Sequence, residues 1–253
     1  AIIAGDQDVI IAAGIENMTR HPLGTDRVEP PSELTDRYEI IPQGVSAERI
    51  ADQWGIDRTE LDEFSVRSHQ LADQATRSGS FSREILPIEV QKDGKKIIVT
   101  EDEGIRPNST LEKLATLSPA FIENGKITAG NSSQISDGAA AVLLMSSEKA
   151  KQLDLKPRAR VIARDVIGSD PTLMLTGPIP LTKRILAKAG LTVDDIDIFE
   201  CNEAFASVIL AWMKEIKPDI EKVNPRGGAI ALGHPTGASG ARIMTTLLHE
   251  LED

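Results

Sequence analysis

The chain is poor in the residues that make cross-links and metal centres. A single cysteine, Cys201, among 253 residues excludes an internal disulfide and a cysteine-based metal cluster. It is compatible with a reducing compartment, and a cytoplasmic location is expected. Of the four histidines, His21, His69 and His249 lack metal-ligand spacing. No His-Glu-x-x-His motif and no carboxylate cluster on one helix face accompanies them, so no metal site is expected. Aromatics make up only 3% of the chain, which makes the core an aliphatic one. The longest apolar runs, Val9 to Ile15 and Ala139 to Met145, fall far short of the ~20 residues of a membrane-spanning helix. No membrane span is expected, and both runs read as buried strands. Basic residues are the minority, 28 against 39 acidic, for a net charge of −11. The long-range field therefore repels nucleic acid and anionic membranes, although a local basic patch can still hold a small anion. Neither Gly-x-Gly-x-x-Gly nor Gly-Lys-Ser/Thr occurs, so dinucleotide and P-loop sites fail.

What is present is a globular composition, 40% apolar. Ala1-Ile2-Ile3-Ala4-Gly5 reads as the tail of a buried helix closing on a C-terminal glycine, and the chain reads as a piece of a longer one. Residues 20–44 read as an irregular, exposed excursion. Ser46 is placed to cap a short helix over Ala47 to Trp54. Asp57 and Glu60 form a capping-box start for a long helix to about Arg77, with Leu61, Phe64, Leu71, Ala72 and Ala75 on one face. Lys92-Asp93-Gly94-Lys95 is a hairpin signal between strands Ile85–Val90 and Lys96–Thr100. From residue 139 onward the pattern alternates β-α-β-α: strands at Ala139–Met145, Val161–Ile167 and Ile196–Glu200, a helix Leu181–Ala189 closed by Gly190, a short apolar strand at Ala229–Leu232, and a final helix Ala238–Leu251. That alternation is the signature of an α/β layered fold. Residues 16–138 interrupt it as an inserted domain.

Three stretches can carry chemistry. In the first, Gly227 to Gly240, a short apolar segment enters a glycine-rich turn with His234 beside Pro235, just before a helix. Such a histidine can donate to an oxyanion or take a proton from a nucleophile; a tight packing turn is the plainer alternative. The second is Glu200-Cys201-Asn202-Glu203-Ala204-Phe205, at a strand-to-helix switch where α/β ligands gather. Asn202 there can position a water or simply cap the helix, Glu203 can accept from backbone, and Cys201 reads as a small buried hydrophobe. The third, Ala129 to Gly138, is a loop of small polar residues suited to an amide-bearing ligand or to plain turns. Arg106, in an irregular stretch, can meet a phosphate.

Asn202-Glu203-Ala204-Phe205-Ala206, Gly227-Gly228-Ala229-Ile230-Ala231-Leu232-Gly233-His234-Pro235-x-Gly237-Ala238, and Ala129-Gly130-Asn131-x-Ser133 through Asp137-Gly138-Ala139-Ala140 together resemble the thiolases. Thr176-Gly177-Pro178-Ile179-Pro180 and Leu117-Ser118-Pro119-Ala120-Phe121 add to the resemblance, which covers the whole chain. It implies a layered αβαβα fold, incomplete here, and acyl transfer between 3-ketoacyl-CoA and CoA: thiolysis in fatty-acid or other β-oxidation, or its reverse Claisen condensation. It implies no permanently bound cofactor, coenzyme A as co-substrate, acyl-CoA substrates and a homodimer or homotetramer. His234 would activate the nucleophilic cysteine and donate to the thioester oxyanion, and Asn202 would hold the water completing that hole. Ser133 would meet the pantetheine arm and Arg106 the phosphate-rich end of CoA. Leu117, Phe121, Ala129 and Phe205 would line the tunnel between.

The resemblance also divides the chain: residues 1–15 from an N-terminal half, 16–138 as a loop domain covering CoA, 139–154 as the last strand region of that half, and 155–253 as an incomplete C-terminal half. The family's nucleophilic cysteine falls ahead of Ala1, and its Cys-x-Gly-Gly-Gly acid/base cysteine beyond Asp253. Cys201 occupies neither position, so residues 1–253 alone are not expected to turn over. Pro42-Gln43 stands where biosynthetic members carry His-Met, which leaves room for a longer acyl chain. A thiolase-like CoA-binding or acyl-CoA-binding protein or subunit without catalysis is the alternative.

Overall fold

The computed structural model describes residues 1–253. In chain order the elements are β1 (Val9–Glu16), α1 (Ser32–Thr35), α2 (Gln43–Gln53), α3 (Arg58–Ser78), β2 (Ile88–Lys92), β3 (Lys95–Val99), α4 (Leu111–Ala115), β4 (Gly138–Met145), α5 (Ser147–Gln152), α6 (Pro178–Ala189), α7 (Ala206–Ile216), α8 (Ala229–Leu232) and α9 (Ser239–Glu250). Ahead of β1, the Gly5 N–H donates to Ile2 O and the Asp6 N–H to Ala1 O, both at 3.1 Å, with Gly5 at φ +81°. This is the paired hydrogen bonding of a helix-terminal Schellman motif.

The core gathers around α7, which is buried over most of its surface, as expected of a helix apolar nearly all round. Trp212, Ile209, Ile50, Ile56, Leu61, Ile127, Val223 and Ile230 are essentially solvent-free and join α7 to α2, α3 and α8 in one cluster. Each such side chain contributes about 1.5–3 kcal/mol by leaving water. The Trp212 indole N–H is satisfied by Thr182 Oγ1 on α6 at 3.0 Å. Helix α6 closes at Gly190 with φ +71°, and β2–β3 turns through Asp93 (φ +52°) and Gly94 (φ +75°), the two left-handed positions of a type I′ turn.

Several expectations need correction. Helix α2 begins at Gln43 behind Pro42 rather than behind Ser46; the fixed φ of Pro42 starts the helix, and Ser46 is buried inside it. Strands β1 and β4 form, pairing antiparallel from Val9↔Met145 to Glu16↔Gly138, but they are not buried on both faces. Helix α9 packs on the ribbon, while Ile11 and Leu143, directly opposed, are 70% and 60% exposed. Val161–Ile167 forms no ladder; no strand lies beside it, and Val166 is 84% exposed. Ile196–Glu200 contributes only one parallel bridge, Phe199 to Val223. Ala229–Leu232 is a helical turn, because the Gly228 carbonyl accepts from Ala231 and Leu232 N–H groups. Helix α7 starts behind Phe205, so Asn202 does not cap it. No helix is long and apolar enough to cross a membrane.

The capping box of α3 is present in full: Asp57 Oδ1 accepts the Glu60 N–H and Glu60 Oε2 accepts the Asp57 N–H, both at 2.8 Å. Asp57→Ala therefore lowers unfolding stability by about 1 kcal/mol, whereas Asp57→Asn leaves most of it; denaturant titration reads both values.

Candidate active site

The site is assembled where two loops meet the segment Asn131–Gln134. The Ser133 N–H donates to Ala204 O, and the Ala206 N–H to Asn131 O, each at 2.9 Å. These bonds stitch the Asn202 loop to one side of the segment. On the other side the His234 N–H donates to Gln134 O at 3.1 Å. The turn after His234 is tied to the ribbon by Glu16, whose carboxylate accepts from Thr236 Oγ1 at 2.5 Å and Gly237 N–H at 3.1 Å.

His234 and Asn202 come together. Asn202 Nδ2 lies 3.2 Å from His234 Nε2, and Ser239 Oγ lies 2.7 Å from His234 Nδ1. The Ser239 hydroxyl is also within donating distance of Pro235 O at 2.9 Å. When it donates there, its oxygen accepts from Nδ1–H and the Nε2 lone pair accepts from the Asn202 amide. Burial, then the Arg242 charge, hold the His234 pKa below the ordinary imidazole value. The result is a neutral base with its free nitrogen aimed at Asn202. Asn202 Oδ1 is buried without a partner, which leaves an acceptor for a bound water or ligand N–H.

Beneath this pair sits Glu203, almost fully buried. It accepts from Ser68 Oγ at 2.6 Å, Asn224 Nδ2 at 2.9 Å and the Ile230 N–H at 3.2 Å. Burial raises its pKa against the pull of those three donors. A Cβ at residue 228 would lie 2.3 Å from the Glu203 carboxyl carbon, so glycine is required there. Asn224 also brackets the Cys201 backbone, N–H and carbonyl each at 2.8 Å. Burial, then Glu203 and Glu200, push the Cys201 thiol up to about 12, so it is a structural residue and not a nucleophile. Glu200 is raised to about 8, mainly by burial, with Arg242 opposing; its Oε1 has no partner and Arg242 Nη1 stands 3.9 Å from Oε2.

Arg106 and Leu117 share a groove of about 320 Å³ with Ser109 and Lys113, and a smaller adjoining pocket adds Ala129, Gln134 and His69. Phe121 and Phe205 meet edge to face with centroids 5.8 Å apart. Ser133 is half-buried and lines neither the groove nor the adjoining pocket; its neighbour Gln134 lines the pocket. The Arg106 N–H donates to His69 Nδ1 at 3.1 Å. Burial, then Arg106, lower His69 to about 4, which keeps that nitrogen an acceptor at neutral pH. No group of three His, Cys, Asp or Glu side chains is placed to hold a metal ion.

Sequence reasoning missed Ser239, Lys113, Gln134 and the role of His69. A serine five residues beyond His234, at the first position of α9, is the one local signal that pointed to an imidazole partner.

Residues 1–148 match the family model described as thiolase, N-terminal domain, and residues 155–253 that of thiolase, C-terminal domain. A probable acetyl-CoA acyltransferase of Staphylococcus aureus (strain COL) is 43% identical over 268 residues, covering 100% of this chain and 68% of the relative. One of Staphylococcus epidermidis (strain ATCC 12228 / FDA PCI 1200) is 42% identical with the same coverage. Among solved structures, Bacillus anthracis acetyl-CoA acetyltransferase superposes with a TM-score of 0.88 at 40% identity. Human mitochondrial 3-ketoacyl-CoA thiolase superposes with 0.90 at 38%; both comparisons cover 99% of this chain and 67% of the other.

Two outcomes follow from the geometry. Ser239→Ala removes the Nδ1–H acceptor, so the Nε2–H tautomer of His234 gains population at its expense, visible in imidazole ¹⁵N shifts. Glu200 binds a proton in the folded state between its ordinary 4.5 and about 8, where the unfolded chain has released it. Its stabilising contribution is thus full below 4.5 and lost as pH rises toward 8, at up to about 1.4 kcal/mol per pH unit. Glu200→Gln removes that share of the slope, and thermal melts across the interval measure it.

Proposed function

The chain belongs to the thiolase family, and on that premise we propose that it carries the CoA-binding surface and the histidine–asparagine pair of an acetyl-CoA C-acyltransferase acting on 3-ketoacyl-CoA. Its fold is thiolase-like. The observation that carries the proposal is the setting of the His234 ring, with Ser239 Oγ 2.7 Å from Nδ1 and the Asn202 amide 3.2 Å from Nε2, so that the nitrogen facing Asn202 is the one placed to exchange a proton. In this reading His234 Nε2 accepts the proton of a cysteine thiol from outside residues 1–253, and the thiolate attacks the 3-keto carbon. The C2–C3 bond then breaks; C2 keeps the electron pair, takes up a proton and departs as acetyl-CoA. CoA thiol attacks the remaining enzyme thioester and releases the shortened acyl-CoA. Protonated at Nε2, His234 donates to the oxygen on which charge builds, with a water on Asn202 as second donor. Fixed donors of this kind commonly supply several kcal/mol of transition-state stabilisation.

Arg106, with Lys113 beside it, is proposed to hold the phosphate-bearing end of CoA. Ser133 is proposed for the pantetheine arm, and Leu117, Phe121, Ala129 and Phe205 for the tunnel. The shared groove of Arg106, Lys113 and Leu117 and the Phe121–Phe205 contact support this assignment. Segment 16–138 is proposed as the domain covering CoA. A cytoplasmic homo-oligomer working in acyl-chain β-oxidation is proposed on the family resemblance. A second reading is CoA or acyl-CoA binding without catalysis; within residues 1–253 the one thiol, Cys201, is held far above the thiolate range and supplies no nucleophile.

Thiolysis of 3-ketoacyl-CoA by the complete protein decides between them. His234→Ala lowers kcat/KM by about 10²-fold or more and leaves CoA affinity within a few-fold. Full activity in that variant overturns the role given to His234. CoA binding by a protein that cleaves no 3-ketoacyl-CoA of any chain length supports the second reading.

A further inference from the structure

One side chain reaches both ends of the site. Gln134 Nε2 lies 2.7 Å from Gly104 O, 3.0 Å from Ile230 O and 3.1 Å from Ala231 O. With two N–H groups and three acceptors, one hydrogen goes to Gly104 and the other is shared by the consecutive carbonyls of α8. Gly104 is two residues before Arg106, whose own N–H is held by His69 Nδ1. Ile230 and Ala231 lead directly into Gly233 and His234, and the Gln134 carbonyl itself accepts the His234 N–H at 3.1 Å. The contact leaves no slack. A Cβ at position 104 would lie 2.8 Å from Ala231 O and 2.9 Å from Gln134 Oε1.

We propose that Gln134 is a positioning residue that couples the anion-binding segment at Arg106 to the imidazole of His234, so that occupation of the phosphate end of the CoA site tightens the catalytic turn. The inference rests on the reading of Arg106 as a phosphate-binding residue. Its physical basis is that the Gly104 and Ile230–Ala231 carbonyls converge on one amide, which holds only when both backbones are in place. Fixing the first backbone with a ligand lowers the freedom left to the second, and the effect is reciprocal. Neither Ser133 nor Asn202 supplies this link, since their contacts run to the Ala204 loop and to His234 alone.

The test is amide hydrogen exchange at Arg106 and His234 in the complete, unmodified protein, without ligand and with adenosine 3′,5′-bisphosphate, which carries only the phosphate-bearing end of CoA. The expected result is slowing of both amides by about fivefold or more, the lower range of ordinary site–site coupling. Protection at Arg106 with no change at His234 overturns the coupling. A nucleotide that binds without protecting Arg106 defeats the placement of the phosphate and not the role of Gln134, which two variants then decide without ligand. Gln134→Met keeps the length and removes both donors; Gly104→Ala keeps the amide and wedges the contact apart. Each is expected to speed exchange at Arg106 and His234 together and to blur the His234 ring ¹⁵N signature, with far-ultraviolet circular dichroism unchanged. In turnover, both variants raise the KM for CoA and lower kcat. A loss confined to one end in both variants shows that Gln134 serves that end only, and the proposal falls.

Discussion

The carboxylate of Glu203 is buried among apolar helices, and an unsatisfied charge there would cost several kcal/mol. It is held by donors from three separate parts of the chain: Ser68 of α3, Asn224 of the loop after α7, and the first turn of α8 through the Ile230 N–H. Each donor answers the cost of burial, and each fixes one element that frames the site. The Ser68 hydroxyl extends the network by accepting the Gly228 N–H at 3.1 Å, which is why that backbone must approach so closely. Asn224 passes the constraint on to the backbone of Cys201, one residue before Asn202. The amide that faces His234 is thus oriented from below through a carboxyl group held by three partners.

A second constraint acts from the side. The Asn202 loop and the His234 turn lie 32 residues apart in sequence and have no strand ladder between them. Their relative position comes from segment 131–134, which bonds to Ala204 and Ala206 on one side and to His234 on the other. Because these are backbone bonds, the side chains of Ser133 and Gln134 are left free for other uses. Gln134 spends its amide on Gly104 and α8. Neutral imidazoles at His69 and His234, both lowered by burial and by an arginine, complete a site in which positive charge is carried by guanidinium and ammonium groups alone.

Much of this was legible in the sequence where the signal is local. The Asp57–Glu60 capping box, the Asp93–Gly94 turn, the Gly190 helix stop and the final helix need only neighbouring residues, and all are present. The His234 and Asn202 motifs stood out in the sequence, each with a plain structural alternative, and the fold brings the two side chains to 3.2 Å of each other. Strands are different, since a ladder needs a partner that the sequence does not name. Val161–Ile167 has the composition of a strand and finds no neighbour. Ala229–Leu232 has an apolar run as suited to a helical turn as to a strand, and its short length offers no periodicity to separate the two. Ser239 and Gln134 were missed because their roles depend on which carbonyls converge on them, a property of the assembled fold.

The charge balance has to be reconciled with the anionic ligand proposed for the groove. A net charge of −11 repels phosphate at long range, yet the Debye length at physiological ionic strength is only about 8 Å. Acidic residues farther than that from the groove, which carries its own cations, are screened from it. Within that groove Arg106 is exposed, and Lys113 is folded back so that Nζ donates to Asn108 O at 2.6 Å. Two cations line this groove of about 320 Å³, while the net charge of the whole surface bears on solubility. The overall acidity and the proposed anion site thus act on different length scales, and the backbone of Arg106, held by His69, keeps one of those cations at the groove.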